Sequence, residues 1–122
     1  MKNLIGSILN DPMSSLSLIF TAEPDKVRDS VEVAPQNHKV LMENNRVRVL
    51  EYRIRPGEKI ALHSHCPAVV YPLNDCCLRF NFSGRNMEQN MQAGKVMWLE
   101  PQSHGEENTG PAEAAIILVE LK

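Results

Sequence analysis

The 122-residue sequence has few cysteines, only three: Cys66, Cys76 and Cys77. An odd count makes a poor disulfide framework, and the adjacent Cys76-Cys77 pair cannot easily close on itself. Reduced thiols are expected, and with them the cytoplasm. No run of about 18 apolar residues occurs, so no membrane-spanning helix is expected. The opening apolar residues Leu4, Ile5, Ile8 and Leu9 are interrupted by Gly6 and Ser7 and end at Asn10-Asp11-Pro12. That stretch is too short and too polar for a secretory core. No basic stripe is present and the net charge is −2, which argues against nucleic acid as a partner. Internal repeats and low-complexity segments are also lacking.

What is present divides near residue 35. Residues 1–34 read as an N-terminal arm. Leu4, Ile5, Ile8 and Leu9 have helical spacing, and Leu16, Leu18, Ile19 and Phe20 form a second apolar cluster. Residues 35–122 read as a β domain. Short runs with strand character are punctuated by turn signals at Pro56-Gly57, Asn74-Asp75, Ser83-Gly84 and Ala93-Gly94. Eight or nine short strands are expected. The apolar alternation slips by one residue at Val49-Leu50, which predicts a bulge there or burial of both faces. No long helical stretch separates two strands, so a parallel sheet is not expected and an antiparallel sandwich or barrel is.

Four histidines supply the chemistry: His38, His63, His65 and His104. His63 and His65 flank Ser64 in a strand, and a period of two sends both imidazoles to one face. Two nitrogen donors side by side are what a metal ion needs, although a His-x-His pair also occurs without one. His104 lies on a later strand that a barrel would bring opposite. Three neutral imidazoles suit Fe, Zn, Ni, Mn or Cu and leave positions open for substrate.

The stretch from Gly57 to His65, reading GEKIALHSH, resembles the first motif of the cupins, G-x5-H-x-H. The stretch from Gly94 through Pro101 and His104 to Asn108 resembles the second, which ends H-x3-N. The run from Asn37 to Glu51 and the closing Ile117 to Lys122 look like the first and last strands of small bacterial single-domain cupins. The resemblance covers residues 26–122. It implies an all-β, cupin-type jelly-roll barrel, with His63, His65 and His104 as metal ligands. The first motif normally continues to a glutamate ligand, but Val69 and Val70 stand at those positions. Cys76 stands near the motif's later glycine, and the second motif is one residue short and lacks its internal glycine. The resemblance therefore implies a neutral three-histidine site. Iron dioxygenases of thiols and diketones share that pattern.

Glu106 follows His104 by two residues and shares its face, so it is a candidate ligand or general base. The competing expectation leaves it in solvent at the barrel rim with Glu107. Tyr71 has the parity of Val69 and is a second candidate for the cavity, as a substrate-orienting hydroxyl; a buried tyrosine bonded to backbone is the alternative. Arg79 and Asn81 share a face, either clamping a substrate carboxylate or solvated. Trp98, Phe80 and Phe82 are expected in the core, and the methionines as packing. Cys66 should point away from the histidine face, and His38 should lie on the surface.

Two functions follow as expectations. One is a metal-dependent enzyme acting on a small organic molecule, with dioxygenase-like chemistry first. The other is a non-catalytic cupin that binds or senses a small molecule. A purely structural role, with histidines that hold no ion, is a third. A homodimer is expected from the resemblance, from edge strands that need protection and from the arm at Leu16–Phe20.

Overall fold

The computed structural model describes residues 27–122. The predicted helical turns at residues 4–9 and the apolar cluster at 16–20 lie outside the described residues.

Among the described residues, one helical turn, α1 (Ser30–Val33), precedes nine strands. Asp29 caps it by accepting from the Val31 amide at 3.1 Å. The strands are β1 (His38–Glu43), β2 (Val47–Ile54), β3 (Lys59–His65), β4 (Ala68–Pro72), β5 (Cys76–Phe82), β6 (Arg85–Met91), β7 (Met97–Leu99), β8 (Gln102–Asn108) and β9 (Ala114–Leu121). They form two antiparallel sheets, ordered β1-β2-β9-β4-β7 and β3-β8-β5-β6. The core lies between them and includes Leu50, Ile54, Leu78, Phe80, Leu99, Ile116 and Leu118. No helix among the described residues is long and apolar enough to cross a membrane.

The β5–β6 hairpin shows how the turns are encoded. Phe82 pairs with Arg85 across the two residues Ser83 and Gly84, both at positive φ. That is a type I′ turn, whose twist matches that of the strands it joins.

The slip predicted at Val49-Leu50 is not a bulge in β2. Strand β2 pairs with β9 without interruption from Val47 to Ile54. Arg48, Leu50, Tyr52 and Ile54 all take the inner side. Arg48 holds that place because Glu120 and Asp29 neutralise it. The bulge lies on the facing strand β1, where Leu41 is extra between Val40 and Met42.

A second bulge matters more. In β3, Ile60 pairs with Glu106 and His63 with His104, so Ala61 and Leu62 together oppose Gly105. Gly105 is required by the close approach, since a Cβ there would stand 3.3 Å from the Ile60 carbonyl oxygen. The extra residue shifts the parity of the strand. Ile60, His63 and His65 all face inward, while Leu62 is left exposed.

Two residues expected inside are outside. Trp98 is exposed rather than in the core. It begins a row of cross-strand neighbours on the outer face of the five-stranded sheet: Trp98, Val69, Val119, Val49 and Met42. Tyr71 is also exposed, at 42%. Strand β4 turns Ala68, Val70 and Pro72 inward, so Tyr71 takes the opposite face and cannot reach the cavity. Phe80 is in the core, with Phe82 packed against it.

Candidate metal centre

The β3 bulge and the regular strand β8 aim four side chains at one point. His63 and His65 come from β3, and His104 and Glu106 from β8. All four are buried, and one donor atom of each lies within 4.8 Å of the others. His63 Nε2 stands 3.0 Å from His65 Nε2 and 3.2 Å from Glu106 Oε2. His104 Nε2 is 4.0 Å from the same carboxylate oxygen.

The far nitrogens fix the tautomers. His63 Nδ1 donates to the Ala61 carbonyl at 2.7 Å, a group that the bulge leaves outside the ladder pairing. His104 Nδ1 donates to Gln102 Oε1 at 2.8 Å. His65 Nδ1 faces Glu120 Oε2 at 3.5 Å, an ion-pair distance rather than a formed hydrogen bond. With the hydrogens of His63 and His104 held at Nδ1, their Nε2 lone pairs converge with a carboxylate, and His65 Nε2 stands beside them. His104 Nε2 has no hydrogen-bond partner. Such a cluster calls for a cation.

The donor set fits a transition-metal ion. Two ligands about 2.1 Å from one ion stand about 3.0 Å apart at a right angle and about 3.4 Å apart at the tetrahedral angle. Two of the observed separations, 3.0 and 3.2 Å, match those spacings, while the 4.0 Å between His104 Nε2 and Glu106 Oε2 is wider. Imidazole with carboxylate suits Fe, Zn, Ni, Mn and Cu without choosing among them.

The electrostatics agree. Burial pushes His104 well below the ordinary imidazole range, and Glu106 only partly opposes it. Burial also acts against charge on His63, but the Glu106 carboxylate outweighs it and the His63 pKa is raised. Burial alone would raise Glu106; the His63 ring 3.2 Å away and the other imidazoles bring it down to about 2. The carboxylate is thus ionised at any neutral pH.

A neutral three-histidine site was expected because β4 carries valines where a glutamate would stand. The structure corrects this. Val70 faces the cavity, and a carboxylate arrives instead from β8 as Glu106. Glu106 is not in solvent at the rim.

Several contributors escaped the sequence reading. Gln102 precedes His104 by two residues and shares its face, a relationship that period two could have revealed. Glu120 and Arg48 form a buried pair behind His65, with the Arg48 guanidinium 2.7 Å from both Glu120 and Asp29. His38 was expected on the surface and is buried instead. Its ring stacks on Tyr52 at 4.8 Å, and its Nδ1 bonds to the Ala34 carbonyl. Arg79 lies outside the cavity and pairs with Glu88 and Glu107. Cys66 is exposed and turned away.

A cavity of about 30 Å³ opens beside the cluster. Its wall is apolar, with Val70, Leu78, Phe80, Met91, Met97 and Leu99, apart from the cluster residues, His38 and Tyr52.

Comparison with solved structures decides the family of the fold. A cupin domain from Bordetella pertussis superposes with a TM-score of 0.65 at 25% identity, covering 70% of this chain and 91% of that one. In fold, this chain is a small cupin. A conserved protein with a double-stranded β-helix domain from Klebsiella pneumoniae matches this cupin with a TM-score of 0.54 at 23% identity, covering 67% and 68% of the two chains. The polyketide cyclase RemF from Streptomyces resistomycificus matches with a TM-score of 0.53 at 17% identity, over 69% and 63%. No family model matches this cupin, and no curated protein does.

Proposed function

We propose that this cupin is a mononuclear metal-dependent enzyme acting on a small organic molecule. His63, His65, His104 and Glu106 would hold one divalent transition-metal ion. The observation that carries this reading is the convergence of three imidazole Nε2 atoms and an ionised carboxylate in a buried site. Bound there, such an ion supplies Lewis acidity and, if redox-active, access to oxygen chemistry.

The chain's own residues have definable tasks. Ala61 and Gln102 hold the His63 and His104 rings in the tautomer that offers Nε2. Glu106 accepts a proton at its carboxylate when it is not fully engaged by the ion. Val70, Leu78, Phe80 and Leu99 exclude bulk water, which strengthens every charge interaction within the site. Among reactions, oxygenation of a small substrate comes first, because a cavity of about 30 Å³ walled by apolar side chains suits a diatomic molecule beside the cluster. Barrels of this shape serve many chemistries, so the reaction follows from the site and not from RemF.

The test is elemental analysis of protein purified anaerobically without an affinity tag, beside His104→Ala. About one redox-active ion per chain, lost in the variant, supports the enzyme reading. Oxygen-uptake screens with thiols and diketones then follow. No ion, or an ion that the variant keeps, overturns it. The apolar wall favours a second reading, a binding or sensing cupin. Metal-loaded protein that binds small molecules without turnover would select it.

A further inference from the structure

Two polar atoms in the cavity wall, one of them beside the Glu106 carboxylate, have no hydrogen-bond partner. Tyr52 on β2 and His38 on β1 are register partners, and their rings stack at 4.8 Å with 21° between their planes. Both side chains are buried and both line the cavity beside the cluster. His38 Nδ1 is committed to the Ala34 carbonyl at 2.9 Å, so His38 Nε2 carries no hydrogen and is an acceptor. That Nε2 has no partner, and neither has the Tyr52 hydroxyl. A phenol carries its hydrogen at neutral pH and can donate.

Buried polar atoms in folded proteins are nearly always paired. Here one donor and one acceptor sit on stacked rings, both unsatisfied. The group that answers both is an oxygen that accepts and donates at once. A carbonyl would satisfy Tyr52 alone, and an ammonium His38 alone. A carboxylate would bring its charge beside Glu106, with no Arg or Lys among the cavity residues to receive it.

We propose that Tyr52 and His38 form a hydroxyl-binding subsite beside the metal cluster, which selects small neutral molecules carrying an alcohol group. The Tyr52 O–H donates to the ligand oxygen, and the ligand O–H donates to His38 Nε2. The cavity volume is about one water's share of the liquid, so a water fills the subsite at rest and the ligand hydroxyl replaces it. Larger ligands enter as Met91 and Met97, which are unbranched and adaptable, shift aside. The subsite deepens the proposed function but stands on its own pair of residues.

The experiment compares hydroxyacetone with its near-isostere butanone, which carries a methyl in place of the hydroxyl. Both are titrated into zinc-loaded and metal-free protein labelled with 15N, and the His38 imidazole nitrogens are followed by NMR. Hydroxyacetone is expected to shift His38 Nε2 saturably in both forms, with a Kd at least about tenfold below that of butanone. Tyr52→Phe removes one oxygen and keeps the stacked ring. It is expected to abolish that preference while zinc stays at one per chain. Equal Kd values for the two ligands in the unmodified protein, a preference that survives Tyr52→Phe, or an unmoved His38 signal would each overturn the subsite. Failure to retain zinc, with the hydroxyl preference intact, would sink the metal reading and leave the subsite standing. Retained zinc without a preference does the reverse.

Discussion

His63 and His104 face each other directly across the β3–β8 ladder, each buried, each offering Nε2 to the same point. His63→Ala and His104→Ala should each weaken divalent-ion binding by more than about 100-fold, beyond what removal of a supporting hydrogen bond costs. Competition against a chelator of known affinity measures this, and a loss below tenfold would remove that residue from the ligand set.

Glu106→Gln keeps the shape and removes the charge. Metal affinity should fall by about 10- to 100-fold, because the carboxylate supplies the only negative charge in the four-residue cluster. Calorimetry with Zn²⁺ at fixed pH checks it. Unchanged affinity would return Glu106 to a purely structural role.

Glu120→Ala leaves the Arg48 guanidinium with only Asp29 and removes the carboxylate facing His65. Unfolding of metal-free protein in urea should show a loss of about 2 kcal/mol, less than for a buried pair left wholly uncompensated. Metal affinity should fall about tenfold through the loosened His65 ring.

Asn108 is buried and makes three hydrogen bonds, donating to the Ile54 and Ala112 carbonyls and accepting from the Gly110 amide. Asn108→Ala orphans those groups and should cost about 3 kcal/mol. The same urea titration reads this, and a cost under 1 kcal/mol would show that water replaces the side chain.

Stability of the metal-free protein should rise with pH from about 2 to 6.5, above which the raised His63 pKa acts in the opposite sense. His104 and His38 have folded-state pKa values below their unfolded ones. The stability they contribute is present above pH 6.5 and is lost as protons bind the unfolded chain more readily below it. Glu106, lowered to about 2, adds stability above pH 4.5 that is lost as pH falls toward 2. Thermal melts across that range test the sign, and a maximum on the acid side would contradict it.

Much of the scaffold was legible in the sequence. Period two placed His63 and His65 on one face, the turn signals delimited the strands, and the two motifs brought His104 to the same barrel. Glu106 was visible by parity with His104, yet acidic residues are so seldom buried that the rim looked the better place. Tyr71 was misplaced because the choice between Val69 and Val70 as the inward residue depends on which side of β4 meets the other sheet. His38 and Tyr52 could not be joined from sequence, since they sit 14 positions apart and meet only through the β1–β2 register. The bulge in β3 left no mark in its apolar text, Ile60-Ala61-Leu62.

That bulge makes the site depend on a count of residues as well as on their kinds. Deleting Leu62 removes no ligand and no core side chain, since Leu62 is exposed. With Ile60 still opposite Glu106, it would leave Ala61 opposite Gly105 and His63 opposite His104, so both imidazoles stay inward and what is lost is the bulge that presents the Ala61 carbonyl to His63 Nδ1. A single lost codon at a surface leucine would thus loosen the orientation of a ligand ring without removing any ligand. A tally of ligands would score the resulting chain as intact.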